Sequence, residues 1–211
     1  MHPVNRLRAA RAGGFTMIEM MVVIAILAIT MGIGIPSMSA WLMSNKAAGA
    51  NEFYMEGFRA ARQQAISHNA LSRLMLTTNN TTGQKDWQVD ICFPANGACA
   101  VDSTNWSTPS LAAPGDPETG SPYKSLKRTA DVLPSDRILA PSTVPANAYA
   151  VYYTALGWVD TTVPNNIQLL KLDPAPAYVA QLPTSAISIT LAGMPIRCNA
   201  DAASGDSRKC P

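Results

Sequence analysis

Gly13-Gly14-Phe15-Thr16-Met17-Ile18-Glu19 runs straight into Met20-Met21-Val22-Val23-Ile24-Ala25-Ile26-Leu27, and this stretch governs how the remaining chain is read. Ahead of it, residues 1–14 carry Arg6, Arg8 and Arg11 and no acid. Behind it, Met20 to Asn45 is an uncharged run of 26 residues. One carboxylate, Glu19, stands between the two. A secretory signal puts its small-residue cleavage site after the apolar core, so the core is discarded with the leader. Here the small-residue pair precedes the core, and a cut after Gly14 keeps the apolar segment on the mature chain. As a helix the uncharged run extends about 39 Å, enough for a hydrocarbon core of about 30 Å. The arginines hold the leader on the cytoplasmic side, so the chain beyond the span is exported. A plain single-span anchor has the same hydropathy and stays open on these grounds alone.

The order Gly-Gly-Phe-Thr-x-x-Glu, followed at once by the apolar run, resembles the class III signal of type IV prepilins and pseudopilins. The resemblance implies that prepilin peptidase cuts after Gly14 and methylates the new amino terminus at Phe15. It also implies a filament subunit, with other major and minor pilins and an inner-membrane assembly platform as partners. Before assembly its surroundings are the lipid bilayer, with the head in the periplasm; afterwards it is part of a pilus or pseudopilus.

Glu19 fits that picture. A carboxylate costs about 2.5–3.5 kcal/mol at a bilayer centre and less near the interface. The resemblance supplies a partner, the Phe15 amine of a neighbouring subunit, and with it an assembly role. Phe15 and Glu19 stand at i and i+4 on one helix face. Two unit charges 4 Å apart attract by about 4 kcal/mol at an effective dielectric of 20, before desolvation. The alternative is that Glu19 serves its own helix N-terminus, a contribution of about 0.3–1 kcal/mol. Farther along, Gly32, Gly34 and Pro36 interrupt the helix, at costs of about 1 kcal/mol per glycine and 3 for proline. Pilin helices carry such residues here, so a melt-prone hinge is expected, with a simple kink as the alternative.

Domain organisation follows: residues 1–14 as leader, 15–45 as the membrane and filament-core half of the helix, and 46–211 as amphipathic helix plus periplasmic head. The formal charge of +2 belongs to the precursor. Loss of the three leader arginines takes Lys plus Arg from 16 to 13, against 14 Asp plus Glu. A near-neutral chain lacks the whole-molecule field that draws proteins to polyanions.

After Pro36, small or apolar residues recur at Ala47, Ala50, Tyr54, Phe58, Ala61 and Ala65, one face of an amphipathic helix reaching about Asn69. Strands are predicted at Leu71–Thr77, Trp87–Phe93, Ala148–Tyr153, Ile167–Leu172 and Ala186–Leu191. The fold class is α+β, a long N-terminal helical spine on an antiparallel β head, with no internal repeat and no second domain. Ala61-Arg62-Gln63-Gln64-Ala65-Ile66-Ser67-His68-Asn69 resembles the end of the spine in the GspH/FimT group of minor pilins. Trp87–Phe93 and Tyr152-Tyr153-Thr154-Ala155-Leu156-Gly157-Trp158 resemble that group's second strand and late hairpin turn. The stretch from Ala100 to Asp131 resembles nothing in it. With Pro109, Pro114, Pro117 and Pro122, it reads as irregular surface chain.

Four cysteines allow three pairings. In an exported domain the local pairs Cys92–Cys99 and Cys198–Cys210 are expected as disulfides, each contributing about 2–3 kcal/mol. Neither has the spacing of a zinc knuckle. No enzyme is expected: His68 alone of the two histidines outlasts the leader, and no GxSxG, HExxH or phosphate loop occurs. No cofactor or metal is called for. His68 is expected as a surface residue. In the tail, Arg197, Arg208 and Lys209 flank the Cys198–Cys210 loop and are candidate DNA contacts, extended by Lys124, Lys127 and Arg128 if the fold gathers them. Some FimT-type pilins bind DNA through an arginine-bearing tail, but Asp201 and Asp206 share this loop. Three phosphate contacts give a salt slope of only about −2.7. A solvated charged loop is the alternative.

Overall fold

The computed structural model describes residues 14–94, 99–118 and 120–211, without the side chains of 33–37. The leader ahead of Gly14, arginines included, lies outside the described residues. Two compact units emerge, Met1–Trp41 and Leu42–Pro211, and helix α1 (Met17–His68) runs through both.

In the first unit every residue from Phe15 to Gly32 is exposed. A helix that is apolar on all sides belongs in lipid or among other helices. Among the described residues no helix is long and apolar enough to cross a membrane. The span expected over Met20–Asn45 passes through residues 33–37, whose side chains are not described. The helix includes Gly32, Gly34 and Pro36, and a Cβ added at Gly32 meets nothing within 4 Å.

In the second unit α1 turns Ala47, Ala50, Tyr54, Phe58, Ala61 and Ala65 into the core, all buried. Between the large rings the small residues let strands come close. Gly57 marks the tightest approach: a Cβ there would lie 2.9 Å from both Leu74 Cδ1 and Trp87 Cδ2. The helix ends through Asn69, whose φ of 47° is left-handed. Asn69 N–H bonds to Ile66 O at 3.3 Å and Ala70 N–H to Ala65 O at 3.1 Å, the paired bonds of a Schellman cap.

Eight strands follow: β1 (Leu71–Thr78), β2 (Lys85–Cys92), β3 (Leu126–Arg128), β4 (Leu139–Val144), β5 (Ala150–Tyr153), β6 (Leu169–Pro174), β7 (Ser185–Ile189) and β8 (Pro195–Cys198). They form two antiparallel four-stranded sheets, ordered β3-β2-β1-β5 and β4-β6-β7-β8. One core joins the helix to Leu74, Trp87, Val89 and Val151 of the first sheet and to Leu139, Leu170, Leu172 and Ile187 of the second. The fold is α+β, a helix packed on antiparallel sheets. The five predicted strands appear as β1, β2, β5, β6 and β7, within a few residues of their expected bounds. β4 and β8 escape prediction because Pro141 and Pro195 argue against strands. Both are edge strands, where a missing N–H costs no ladder bond.

Two expectations need correction. The 100–131 stretch is not merely surface chain: Trp106, Ser107, Ala113 and Ala130 are buried and β3 lies within it. It covers the outer face of the first sheet. Ser107 N–H bonds to Ile91 O at 2.9 Å, Ser107 Oγ accepts from Ile91 N–H at 3.0 Å, and Trp106 Nε1–H bonds to Ala100 O at 2.8 Å. This cover explains why β2 is buried on both faces and why Asp90 sits in the interior. His68 is not a free surface residue either. Its side chain is only 14% exposed, its ring is 5.1 Å from that of Tyr123, and Nδ1 is 4.0 Å from Glu118 Oε1.

Candidate processing and assembly site

Gly14, Phe15 and Thr16 precede the helix as irregular chain. The Gly14–Phe15 peptide bond is therefore outside the helical ladder. Phe15 is 82% exposed, and nothing lies within 4 Å of a Cβ placed on Gly14.

Thr16 and Glu19 close on each other. Glu19 Oε2 accepts from Thr16 N–H at 2.8 Å and from Thr16 Oγ1 at 2.9 Å, while Glu19 N–H bonds back to Thr16 Oγ1 at 3.3 Å. These reciprocal bonds make a capping box, with Thr16 as N-cap and Glu19 three residues on. The Thr-x-x-Glu spacing is the sequence signal for this contact, and of the two roles expected for Glu19 the bonds are those of service to its own helix N-terminus. In the isolated, uncleaved chain Glu19 thus serves its own helix terminus. Cleavage after Gly14 leaves Thr16 N–H an amide, so the box survives, with the new Phe15 amine one residue away. Both bonds accepted by the carboxylate fall on Oε2, so the box uses one of its two oxygens.

At the other end the structure contains both disulfides. Cys92 and Cys99 have Cα atoms 6.0 Å apart, and Cys198 and Cys210 4.9 Å. The first pins the start of the covering loop to the end of β2. The second closes the tail, where Asn199 N–H bonds to Arg208 O at 2.7 Å and Cys210 N–H to Asn199 O at 3.2 Å.

The tail cations differ in availability. Arg208 is held by Asp206, with Nη2 2.8 Å from Oδ2 and Nε 3.2 Å from Oδ1. Hydrogen bonds from this guanidinium draw the Asp206 carboxyl down to about 2. Lys209 Nζ bonds to Ser204 Oγ at 3.2 Å, and Arg197 is exposed on β8. Lys127 and Arg128 lie on β3, in the other sheet, and Arg128 is tied to Glu56 at 3.0 Å. With Arg208 and Arg128 neutralised, the charge free to meet phosphates is smaller than the residue count implies. Among the described residues no group of three or more His, Cys, Asp or Glu could hold a metal ion.

Residues 10–35 match the family described as the prokaryotic N-terminal methylation motif, the type IV pilin-like signal. No curated protein and no solved structure matches the chain. The motif supports a type IV pilin-like or pseudopilin-like protein, a structural subunit rather than an enzyme. It implies processing by prepilin peptidase and assembly with other pilins.

Proposed function

We propose that the chain is a minor pilin of the GspH/FimT type, built into the tip or initiation complex of a type IV pilus. The observation that carries this reading is the methylation motif at 10–35, set on the helix that packs against an antiparallel head. The finer assignment is supported by the Ala61–Asn69 segment leading directly into β1, the Trp87 strand and the Leu156-Gly157-Trp158 turn. In this reading the precursor sits in the inner membrane through 15–45, with 46–211 in the periplasm. Prepilin peptidase cuts after Gly14 and methylates Phe15. The exposed apolar helix then leaves lipid for the helices of other subunits, with Gly32, Gly34 and Pro36 as the hinge. Glu19 pairs with a neighbour's amine and aids register.

The first experiment is the intact mass of the membrane-extracted protein. A chain beginning at methylated Phe15 is the expected result, and a mass retaining residues 1–14 refutes the assignment. Glu19→Ala is expected to be processed but to enter filaments poorly; normal incorporation overturns the assembly role. A type II secretion pseudopilin has the same N-terminal machinery and is distinguished by which filament takes up the processed chain. DNA uptake through Arg197, Arg208 and Lys209 predicts salt-dependent binding that the triple alanine variant loses.

A further inference from the structure

The head carries an exposed apolar patch assembled from three segments. Leu156 and Trp158 of the 154–158 turn are 74% and 59% exposed, Leu191 is 70% exposed, and Met194 and Ile66 are exposed beside them. Contacts make these neighbours. A Cβ on Gly157 would meet Ile66 Cδ1 at 2.7 Å, and one on Gly193 would run into Gly157 O. Val159 N–H bonds to Leu191 O at 3.0 Å, and Arg62 Nε–H bonds to Ala192 O at 3.2 Å. Both glycines have positive φ, at 77° and 75°. The two turns are thus locked together over the last turn of α1, and the large side chains between the glycines are left facing outward.

We propose that this patch docks the head of a different subunit of the same filament, on a surface where an apolar recess is bordered by carboxylates. The proposal rests on the pilin reading above. Three features select that occupant. The first is charge: no carboxylate lies within ion-pair distance of Arg62 among the described residues. Asp160, the acid nearest along the chain, is turned into its own loop by bonds from Thr162 N–H at 3.0 Å and Thr162 Oγ1 at 2.6 Å. Arg62, whose Cγ would lie 3.1 Å from a Cβ on Gly157, puts a cation at the patch and calls for an acidic partner, whereas two copies meeting across a two-fold axis would bring like charges together. The second is size. Five side chains offer a patch on the order of a few hundred Å², short of the roughly 800 Å² per partner in a stable free complex. A contact this small persists when a second attachment, here the helices in a common filament, holds the partners together. The third is position. This unit begins at Leu42 and Ile66 stands in the last turn of α1, so the patch lies at the far end of the unit's own stretch of helix from Leu42. A central tryptophan beside arginine also has the composition of interface residues that carry most of the binding energy.

The test places a photoreactive phenylalanine at position 156 of the full chain in filament-producing cells, with position 132, an exposed valine outside the patch, as control. The expected adduct is to another pilin head, at a peptide holding apolar residues and Asp or Glu. Its yield falls by about tenfold or more in Trp158→Ala and in Arg62→Glu, with Leu191→Ser as a second apolar variant. An adduct with a second copy, an adduct with DNA, a yield indifferent to the variants, or a yield at 156 no greater than at 132 overturns the proposal. Intact mass is read from the same cells. Chains starting at methylated Phe15 without the adduct overturn the docking surface and leave the pilin reading standing. Unprocessed chains overturn both.

Discussion

Replacing Asp90 with alanine is expected to strand a buried guanidinium. Arg73 and Asp90 face each other directly in the β1–β2 register, with Nε 2.9 Å from Oδ2 and side chains only 13% and 1% exposed. Gln88 Nε2–H bonds to the other carboxylate oxygen at 2.7 Å. Arg73 also reaches into the covering loop, bonding Val101 O at 2.9 Å and lying 4.4 Å from the Trp106 ring centroid. Asp90→Ala leaves the guanidinium with one carbonyl and a ring in place of its counter-charge. Breaking a buried pair from one side costs about 3–5 kcal/mol. At about 2–4 °C per kcal/mol for a chain of this size, the melting temperature falls by roughly 6–20 °C. The assay is thermal and urea unfolding of the full chain in detergent, followed by tryptophan fluorescence. The same variant should expose the 100–125 segment to protease. Arg73→Met with Asp90→Leu removes both charges, and such swaps are neutral or stabilising by about 1–4 kcal/mol. A single variant within about 1 kcal/mol of wild type would mean the pair behaves as a surface contact. A double variant as weak as the single would place the cost in packing and refute the stranded-charge argument.

Other expectations follow from single positions. Gly57→Ala gains about 1 kcal/mol of helix propensity but overpacks Leu74 and Trp87 at about 1–3 kcal/mol, so net destabilisation of about 1 kcal/mol is expected; a stabilised variant in urea unfolding contradicts the helix–sheet spacing. Gly14→Ala has open space for its Cβ and should leave the unfolding midpoint unchanged. Loss of the leader cut in that variant, read by intact mass, then reports on the peptidase rather than on the fold. The Asp206 carboxyl should titrate near 2 by NMR and return to the ordinary carboxylate range in Arg208→Ala. Its folded value is depressed, so its small contribution to tail stability is present above about pH 4 and is lost as pH falls toward 2.

Much of the fold was legible along the chain because its signals are local. Ala47, Ala50, Tyr54, Phe58, Ala61 and Ala65 recur at helical spacing, and all six face the core. The strands that alternate or run apolar were found. Those carrying Pro141 and Pro195 were not, since only their place at a sheet edge makes proline acceptable. The covering loop was opaque for a related reason. Its proline-rich composition reads as surface, and nothing local says that Trp106 closes over Arg73. His68 was misread alike, because its cover comes from residues about fifty positions away.

The sequence by itself determined the order of small pair, carboxylate and apolar run, a pattern written in one dimension and the part of the chain that the methylation motif matches. It also determined which helix face is apolar, because the period of a helix is written into residue spacing. Only the tertiary structure decided that Arg208 is already neutralised while Arg197 is exposed, and that 66, 156, 158, 191 and 194 form one surface. It alone decided, too, that Asp90 is buried. These are questions of which distant segments meet and what they shield from water. Burial, charge pairing and patch continuity depend on those meetings and have no period along the chain.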